Sequence, residues 1–238
     1  MNAGVKFKDG FRDGIPIGLG YLSVSFGVGI LAANSGMSVF AATFFSLFNL
    51  TSAGEVAAIS IVAAGGSYAE MALAQLVINM RYALMSLSLS QKTDKSFTLL
   101  HRLTTSYAIT DEIFAVAAGK SRINCRYMYG LMILPVVCWT AGTFLGAAAG
   151  SVLPEIVKNA LGLAIYGMFI AIVIPPAKKN RGVAFSAILA VVISVLIYYV
   201  PIFGGISSGF SVIICAVIAS AAAAILFPVP DSEEEEVE

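Results

Sequence analysis

Three short stretches of this sequence place polar or charged side chains among neighbours that are almost all apolar. The first is Asn49-Leu50-Thr51-Ser52-Ala53-Gly54-Glu55. Asn, Thr and Ser favour helix starts and Gly54 relaxes the backbone, so the stretch predicts a helix break with a fresh N-terminus near mid-membrane. Such an end carries free N–H groups and partial positive charge, which suit a carboxylate. The alternative is an unbroken helix whose Thr51 and Ser52 hydroxyls bond back to their own carbonyls. The second stretch is Asn79-Met80-Arg81-Tyr82, with Arg81 midway along an otherwise apolar run. An arginine at bilayer centre costs at least about 2.5–3.5 kcal/mol to insert, so it requires an acid partner or water. Glu55, Glu70, Asp111 and Glu112 are the available acids; a structural ion pair or a side chain reaching the membrane boundary would also satisfy it. The third stretch is Thr110-Asp111-Glu112. Consecutive helical side chains point about 100° apart, so one of the two carboxylates at most is expected to face a cavity squarely. The other role for such a pair is to complement the dipole at a helix start.

These residues can be assembled into a site for a small zwitterion. The expected binding set is Asn49, Thr51, Ser52, Gly54, Glu55, Asn79, Arg81, Tyr82 and Trp139. The helix start at Thr51–Gly54 would take the carboxylate, aided by Arg81. Glu55, Asn79 or Asp111 would take the ammonium. Met80, Tyr82 and Trp139 would supply apolar lining, although Trp139 could equally be a packing residue. A low dielectric favours the neutral form of a carboxyl, so Glu55, Asp111 and Glu112 are candidates for carrying a coupling proton.

Other chemistries find no support. There is no GxxxxGK[ST], HExxH or CxxC pattern. With one histidine, His101, beside Arg102 in a polar stretch, a histidine metal cluster cannot form within one chain. Cys125, Cys138 and Cys215 fit neither a disulfide framework nor a metal spacing. No cofactor, metal or enzymatic activity is expected, and no basic stripe points to nucleic acid.

The elements that must position these residues follow from composition. The chain has 238 residues, 58% hydrophobic and 12% charged, with mean hydropathy +0.89. Soluble domains carry about 25% charged residues, so too little polar surface remains to cover a water-soluble globule. A bilayer core of about 30 Å requires about 20 apolar residues in helix. Seven stretches approach this: Ile15–Ala33, Val39–Ala64, Ala69–Leu89, Met128–Gly150, Val157–Ile174, Val183–Val200 and Ile206–Phe227. An eighth, Leu103–Gly119, is short and carries Asp111 and Glu112, as a re-entrant segment would. The expected fold is therefore an all-α integral membrane protein of about seven transmembrane segments with broken or re-entrant helices, forming one domain over residues 1–227.

Charge placement predicts the orientation. Lys6, Lys8 and Arg12, then Lys120, Arg122 and Arg126, then Lys178, Lys179 and Arg181 all belong inside, which puts both termini in the cytoplasm. The loop with Lys92, Lys95 and Arg102 lies outside if Val39–Ala64 crosses fully, and inside if that segment is re-entrant; its charges favour the second scheme. The N-terminus MNAGVKFKDGFRDG shows no leader-like apolar core, so the first span is expected to act as the insertion signal. Pro228 and Pro230 stop the last helix, and residues 228–238 read as a disordered acidic tail. Pro16 and Pro135 fall near span starts, where proline is tolerated.

Gly142, Gly146 and Gly150 share one helix face and predict a close helix approach, within the chain or to a partner. A weak internal likeness links IPIGLGYLSVSFGVGIL with LPVVCWTAGTFLGAAAG, as in transporters built from repeats.

Several stretches in order resemble the AzlC-type branched-chain amino acid permeases, the large subunits of two-component bacterial exporters. They are GIPIGLGYLSVSFGVGILAANSGMS at 14–38, FFSLFNLTSAGEVAAI at 44–59, INMRYALMSLSLS at 78–90, ITDEIFAVA at 109–117, CWTAGTFLGAAAGSVLP at 138–154 and LGLAIYGMFIAIVIPP at 161–176. The resemblance implies export of branched-chain amino acids, methionine in some members, and a small membrane subunit of the AzlD type. Two positions depart from the family's habit: Glu55 stands where glutamine is usual, and Gly162 where an acid is usual. The expected function is a secondary transporter exporting small aliphatic amino acids across the cytoplasmic membrane, coupled to protons. The other classes compatible with the sequence are a passive channel or facilitator and a non-transporting structural membrane subunit.

Overall fold

In the computed structural model, residues 6–150, 153, 154, 156, 157, 167, 170 and 173–228 are described. The expected span Val157–Ile174, the departure at Gly162 and all of the acidic tail beyond Pro228 lie largely or wholly outside them. Among the described residues the chain is helical, and the one β-bridge joins Thr93 to Ile123. The helices are α1 (Phe7–Asn34), α2 (Val39–Phe48), α3 (Ala53–Ala63), α4 (Tyr68–Ser90), α5 (Leu99–Ser106), α6 (Asp111–Ala118), α7 (Cys125–Ala149), α8 (Arg181–Tyr199) and α9 (Ser208–Leu226), with a 3₁₀ turn at Pro201–Phe203. α1, α4, α7, α8 and α9 are long and apolar enough to cross a membrane. The polypeptide is an all-α membrane protein.

The centre of the molecule is the pair α1 and α7, which pack together along their whole length. They run in the same direction. Gly10 lies against the Tyr127 backbone, Gly14 against Leu131, Gly29 against Thr143 and Ala147, and Gly150 against Ala33. The predicted small-residue face of α7 is thus used inside the chain: Gly142 meets Leu22 and Ser25, and Gly146 meets the Phe26 backbone. Without Cβ atoms at these points the two backbones approach closely, which supplies the packing that apolar surface alone cannot drive in lipid.

Two expected segments are not single spans. Val39–Ala64 divides into α2 and α3 about a break at 49–52, and Leu103–Gly119 divides into α5 and α6 about a break at 107–110. Their register against neighbours shows that each pair is a hairpin. α2 starts just after the C-terminus of α1 and descends beside α7, where Ser46 and Thr143 share a 2.8 Å hydrogen bond. α3 then turns back. Its start lies beside the middle of α4, with the Gln75 side chain donating to the Gly54 carbonyl at 2.7 Å. Its end leads through Gly65 and Gly66 directly into the start of α4. α5 and α6 enter from the opposite end. The 92–94 loop pairs with Ile123, Lys92 caps the end of α6 through the Ala118 carbonyl at 2.5 Å, and Lys120 bridges to Asp13 near the start of α1 at 2.8 Å. The loop carrying Lys92, Lys95 and Arg102 is therefore at the same end of the bundle as Lys6, Lys8, Arg12 and the 120–126 stretch, as the re-entrant scheme requires.

The helices extend beyond the apolar stretches that mark them. α1 starts at Phe7 rather than Ile15, with Asp9 accepting from the Lys6 N–H at 2.7 Å. Pro16 and Pro135 consequently lie well inside α1 and α7, not at their starts. Hydropathy marks where lipid begins, and a capped helix continues past that point.

α8 and α9 pack mainly on each other, with α9 also against α3 and α4. Glu70, at the start of α4 and almost fully buried, anchors them: it accepts from the Ser207 hydroxyl and from the Gly209 N–H at 2.9 Å. Glu70→Ala leaves both donors orphaned, and an unsatisfied buried donor costs about 1–3 kcal/mol. The expected result is a lower unfolding midpoint of the purified protein in a denaturing-detergent titration. An unchanged midpoint would show that this contact does not hold the last two helices.

Candidate functional site

The two breaks face each other at the middle of the bundle. The Tyr107 hydroxyl, at the tip of the α5–α6 hairpin, donates to the carbonyl of Leu47 at the tip of α2–α3. Between the tips and the α1–α7 pair lies a cavity of about 450 Å³, within the range of about 300–1,000 Å³ usual for small-molecule sites. Its polar wall is Thr51, Ser52, Arg81, Tyr82, Thr110, Asp111 and Glu112. Its apolar wall is Pro16, Ile17, Val24, Leu50, Trp139 and Val173, closed by Gly20, Tyr21 and Ala53.

Each polar group reaches the cavity for a local reason. Ser52 has φ +52°, a conformation that costs a non-glycine residue free energy and that a tight chain reversal requires. It does not cap α3 with its side chain, and Ser52 and Ala53 both line the cavity. The predicted fresh helix start therefore opens on the cavity. α6 presents its own N-terminus from the other side, with Thr110 capping the Ile113 N–H. Two helix ends of like, partly positive character converge here, each equivalent to roughly half a charge.

Arg81 has its acid partner. Its Nη1 lies 2.7 Å from Asp111 Oδ2, and its guanidinium stands 5.1 Å from the centre of the Tyr82 ring. Both Arg81 and Asp111 remain partly exposed, so the pair faces open space rather than packed protein. Glu112 faces the cavity as well, against the expectation that at most one of the two acids would. The Tyr21 hydroxyl lies 2.5 Å from both Glu112 Oε2 and Thr110 Oγ1, which draws Glu112 round while Arg81 draws Asp111.

Five expected residues do not line the cavity. Asn49 ends α2 behind the break, Gly54 abuts Thr51 and Gln75, and Asn79 receives no place on the wall because its amide donates to Gln75 at 2.9 Å. Glu55 is fully buried one layer behind, where Trp139 Nε1 donates to its Oε2 at 2.8 Å. Its other oxygen has no hydrogen-bond partner among the described residues. Met80, expected as lining, is exposed on the outer face of α4. The places of Gly54 and Glu55 follow from a fact that spacing cannot supply, the direction in which α3 turns after Ser52. Residues absent from the expected set include Tyr21 and Thr110 on the polar side and Ile17, Val24 and Leu50 on the apolar side. A signal for Thr110 was present: Phe48-Asn49-Leu50-Thr51 and Tyr107-Ala108-Ile109-Thr110 share an aromatic, spacer, aliphatic, threonine pattern at the two tips. Helix followed by re-entrant hairpin occurs twice, α1 with α2–α3 and α4 with α5–α6, in opposite orientations.

Broken helices that enclose a mid-bundle polar cavity define a membrane protein of the transporter type, since irregular backbone at that depth is tolerated only where it lines a cavity. The sequence comparisons agree. A family described as AzlC protein matches residues 16–153, and the chain belongs to that family. The chain is 28% identical to "Inner membrane protein YgaZ" of Escherichia coli (strain K12), over 82% of this chain and 84% of that protein. It is 28% identical to an "Uncharacterized membrane protein" of Archaeoglobus fulgidus, over 76% and 80% of the two chains. Another "Uncharacterized membrane protein", from Helicobacter pylori (strain J99), is 32% identical over 61% and 64%. No solved structure matches the chain significantly.

Proposed function

We propose that the chain is a secondary transporter that exports branched-chain and other small aliphatic amino acids across the cytoplasmic membrane, acting with a small AzlD-type membrane subunit. The observation that carries this reading is the meeting of three chemistries in one cavity. The α3 helix start and Arg81 suit a carboxylate, Asp111 and Glu112 suit an ammonium, and Leu50, Ile17, Val24 and Trp139 suit an aliphatic side chain. The gathering of basic loops at one end of the bundle supports a cytoplasmic position for that end, and with it for both termini.

Counterflow of labelled leucine, isoleucine, valine and methionine into preloaded vesicles containing both chains tests the reading. Exchange of these four, with little for lysine or glutamate, is expected. Absence of any exchange would leave a structural subunit as the remaining class.

Coupling is assigned to Glu55. Among the described residues it has no cation within ion-pair distance and its Oε1 has no hydrogen-bond partner, so it can take and release a proton without breaking an ion pair. Asp111 could do so only by giving up Arg81. Trp139 links Glu55 to the cavity wall. Glu55→Gln keeps an acceptor for the indole, so it is expected to retain leucine counterflow while losing uphill export driven by a pH gradient. Uphill export at the wild-type rate in Glu55→Gln would remove Glu55 from the coupling.

A further inference from the structure

We propose that the basic end of the bundle holds a second site for the same small zwitterion, a vestibule separated from the central cavity by the tip of the α5–α6 hairpin. The inference rests on the transport reading above. A separate cavity of about 260 Å³ lies among α4, α5 and the start of α7. Ile109 lines it, while the next residue, Thr110, lines the central cavity. The two spaces are thus lined by consecutive residues of one helix break.

The lining has the chemistry of an amino acid rather than of a simple anion. Arg102 is the only charged residue on its wall. No carboxylate lies within ion-pair distance of it among the described residues. Its recorded side-chain bond is a donation from Nη2 to Thr93 Oγ1 at 3.2 Å, which leaves several of its five N–H donors for a bidentate carboxylate. Asp94, the nearest acid in sequence, instead accepts from Ser96.

Around Arg102 four hydroxyls, those of Ser90, Thr93, Thr105 and Ser106, have already committed their hydrogens to backbone carbonyls. Ser90 donates to the Leu87 carbonyl at 2.6 Å, Thr93 to Ser90 at 2.8 Å, and Ser106 to Leu103 at 2.9 Å. What these oxygens still offer the cavity is acceptor lone pairs. An ammonium can use them, and a phosphate or acetate cannot. The remaining wall includes the buried residues Leu89, Ile109, Ile123 and Met128, which suit an aliphatic side chain. Cation, acceptors and apolar floor thus repeat the pattern of the central cavity at the end where substrate would enter from the basic side.

Equilibrium binding of labelled L-leucine to the full chain co-purified with its small membrane subunit tests this. The wild type should bind two leucines per chain, Arg102→Gln one, and Arg102→Lys, which keeps the cation but not the bidentate fork, two with the second held more weakly. Unlabelled 4-methylpentanoate, which lacks the ammonium, should displace neither. Arg102 is on the surface of a short helix, so loss of binding on its replacement cannot be put down to loss of the core. One leucine per wild-type chain, or two retained in Arg102→Gln, would overturn the vestibule while leaving the central site standing. No leucine bound by any form would overturn the transport reading and the vestibule together.

Discussion

Arg81→Gln is expected to lower leucine counterflow roughly 10- to 100-fold, because hydrogen bonds to charged groups are worth about 1.5–3 kcal/mol each and each 1.4 kcal/mol is a factor of ten. Among the described residues Arg81 is the one cation on the wall of the central cavity, 2.7 Å from Asp111. Its neighbour Tyr82 reaches across to the Thr51 carbonyl at 3.4 Å, so the same segment that supplies the charge also steadies the helix break that receives the carboxylate. Removing the guanidinium takes a substrate contact away and leaves Asp111 without its partner. The double variant Arg81→Gln with Asp111→Asn separates these effects. It removes the lone acid, so it should insert and fold like the wild type, yet remain as slow as the single variant. Counterflow at the wild-type rate in correctly inserted Arg81→Gln would take Arg81 out of the binding site.

Gly146→Leu is expected to have the larger effect on the protein itself. A Cβ at Gly146 would collide with the Phe26 carbonyl, and one at Gly142 with Ser25. Those contacts are backbone or short side chain and cannot swing aside. Overpacking typically costs about 1–3 kcal/mol where side chains can adjust, and more is expected where two helix axes must separate. Because α1 and α7 also carry Tyr21 and Trp139, which stack edge to face at 5.2 Å beside the cavity, separation would dismantle the site as well. The measurement is the fraction of monodisperse protein in size-exclusion chromatography after detergent extraction. Gly20→Leu serves as the control, since nothing lies within 4 Å of a Cβ there, and it should extract normally. Equal recovery of the Gly146 and Gly20 variants would show that the helix pair tolerates a wider spacing.

Much of the fold is legible in the chain. The spans around residues 15–33, 69–89, 128–150, 183–200 and 206–227 each correspond to a long helix, because about 20 apolar residues in sequence have one stable arrangement in lipid. The break at 49–52 is legible too, from residues that start helices better than they continue them. What is not legible is a turn's direction. Whether α3 continues α2 or reverses against it depends on the φ of Ser52 and on the partners waiting beside α4, and neither is written in a hydropathy pattern. For the same reason Glu55, three residues past the break, could be placed near the cavity but not behind Trp139.

By itself, then, the sequence determined that lipid is the solvent, where the long apolar helices lie, and that Arg81 requires an acid or water. Those outcomes follow from local composition and from the cost of bare charge in a low-dielectric medium. Tertiary structure decided that the acid is Asp111, that two hairpins entering from opposite ends meet tip to tip, and that Glu55 sits one layer back. These depend on contacts between residues 30 to more than 80 positions apart, and such contacts are chosen by the close packing of α1 on α7 and by which polar groups can still find partners once that packing is fixed.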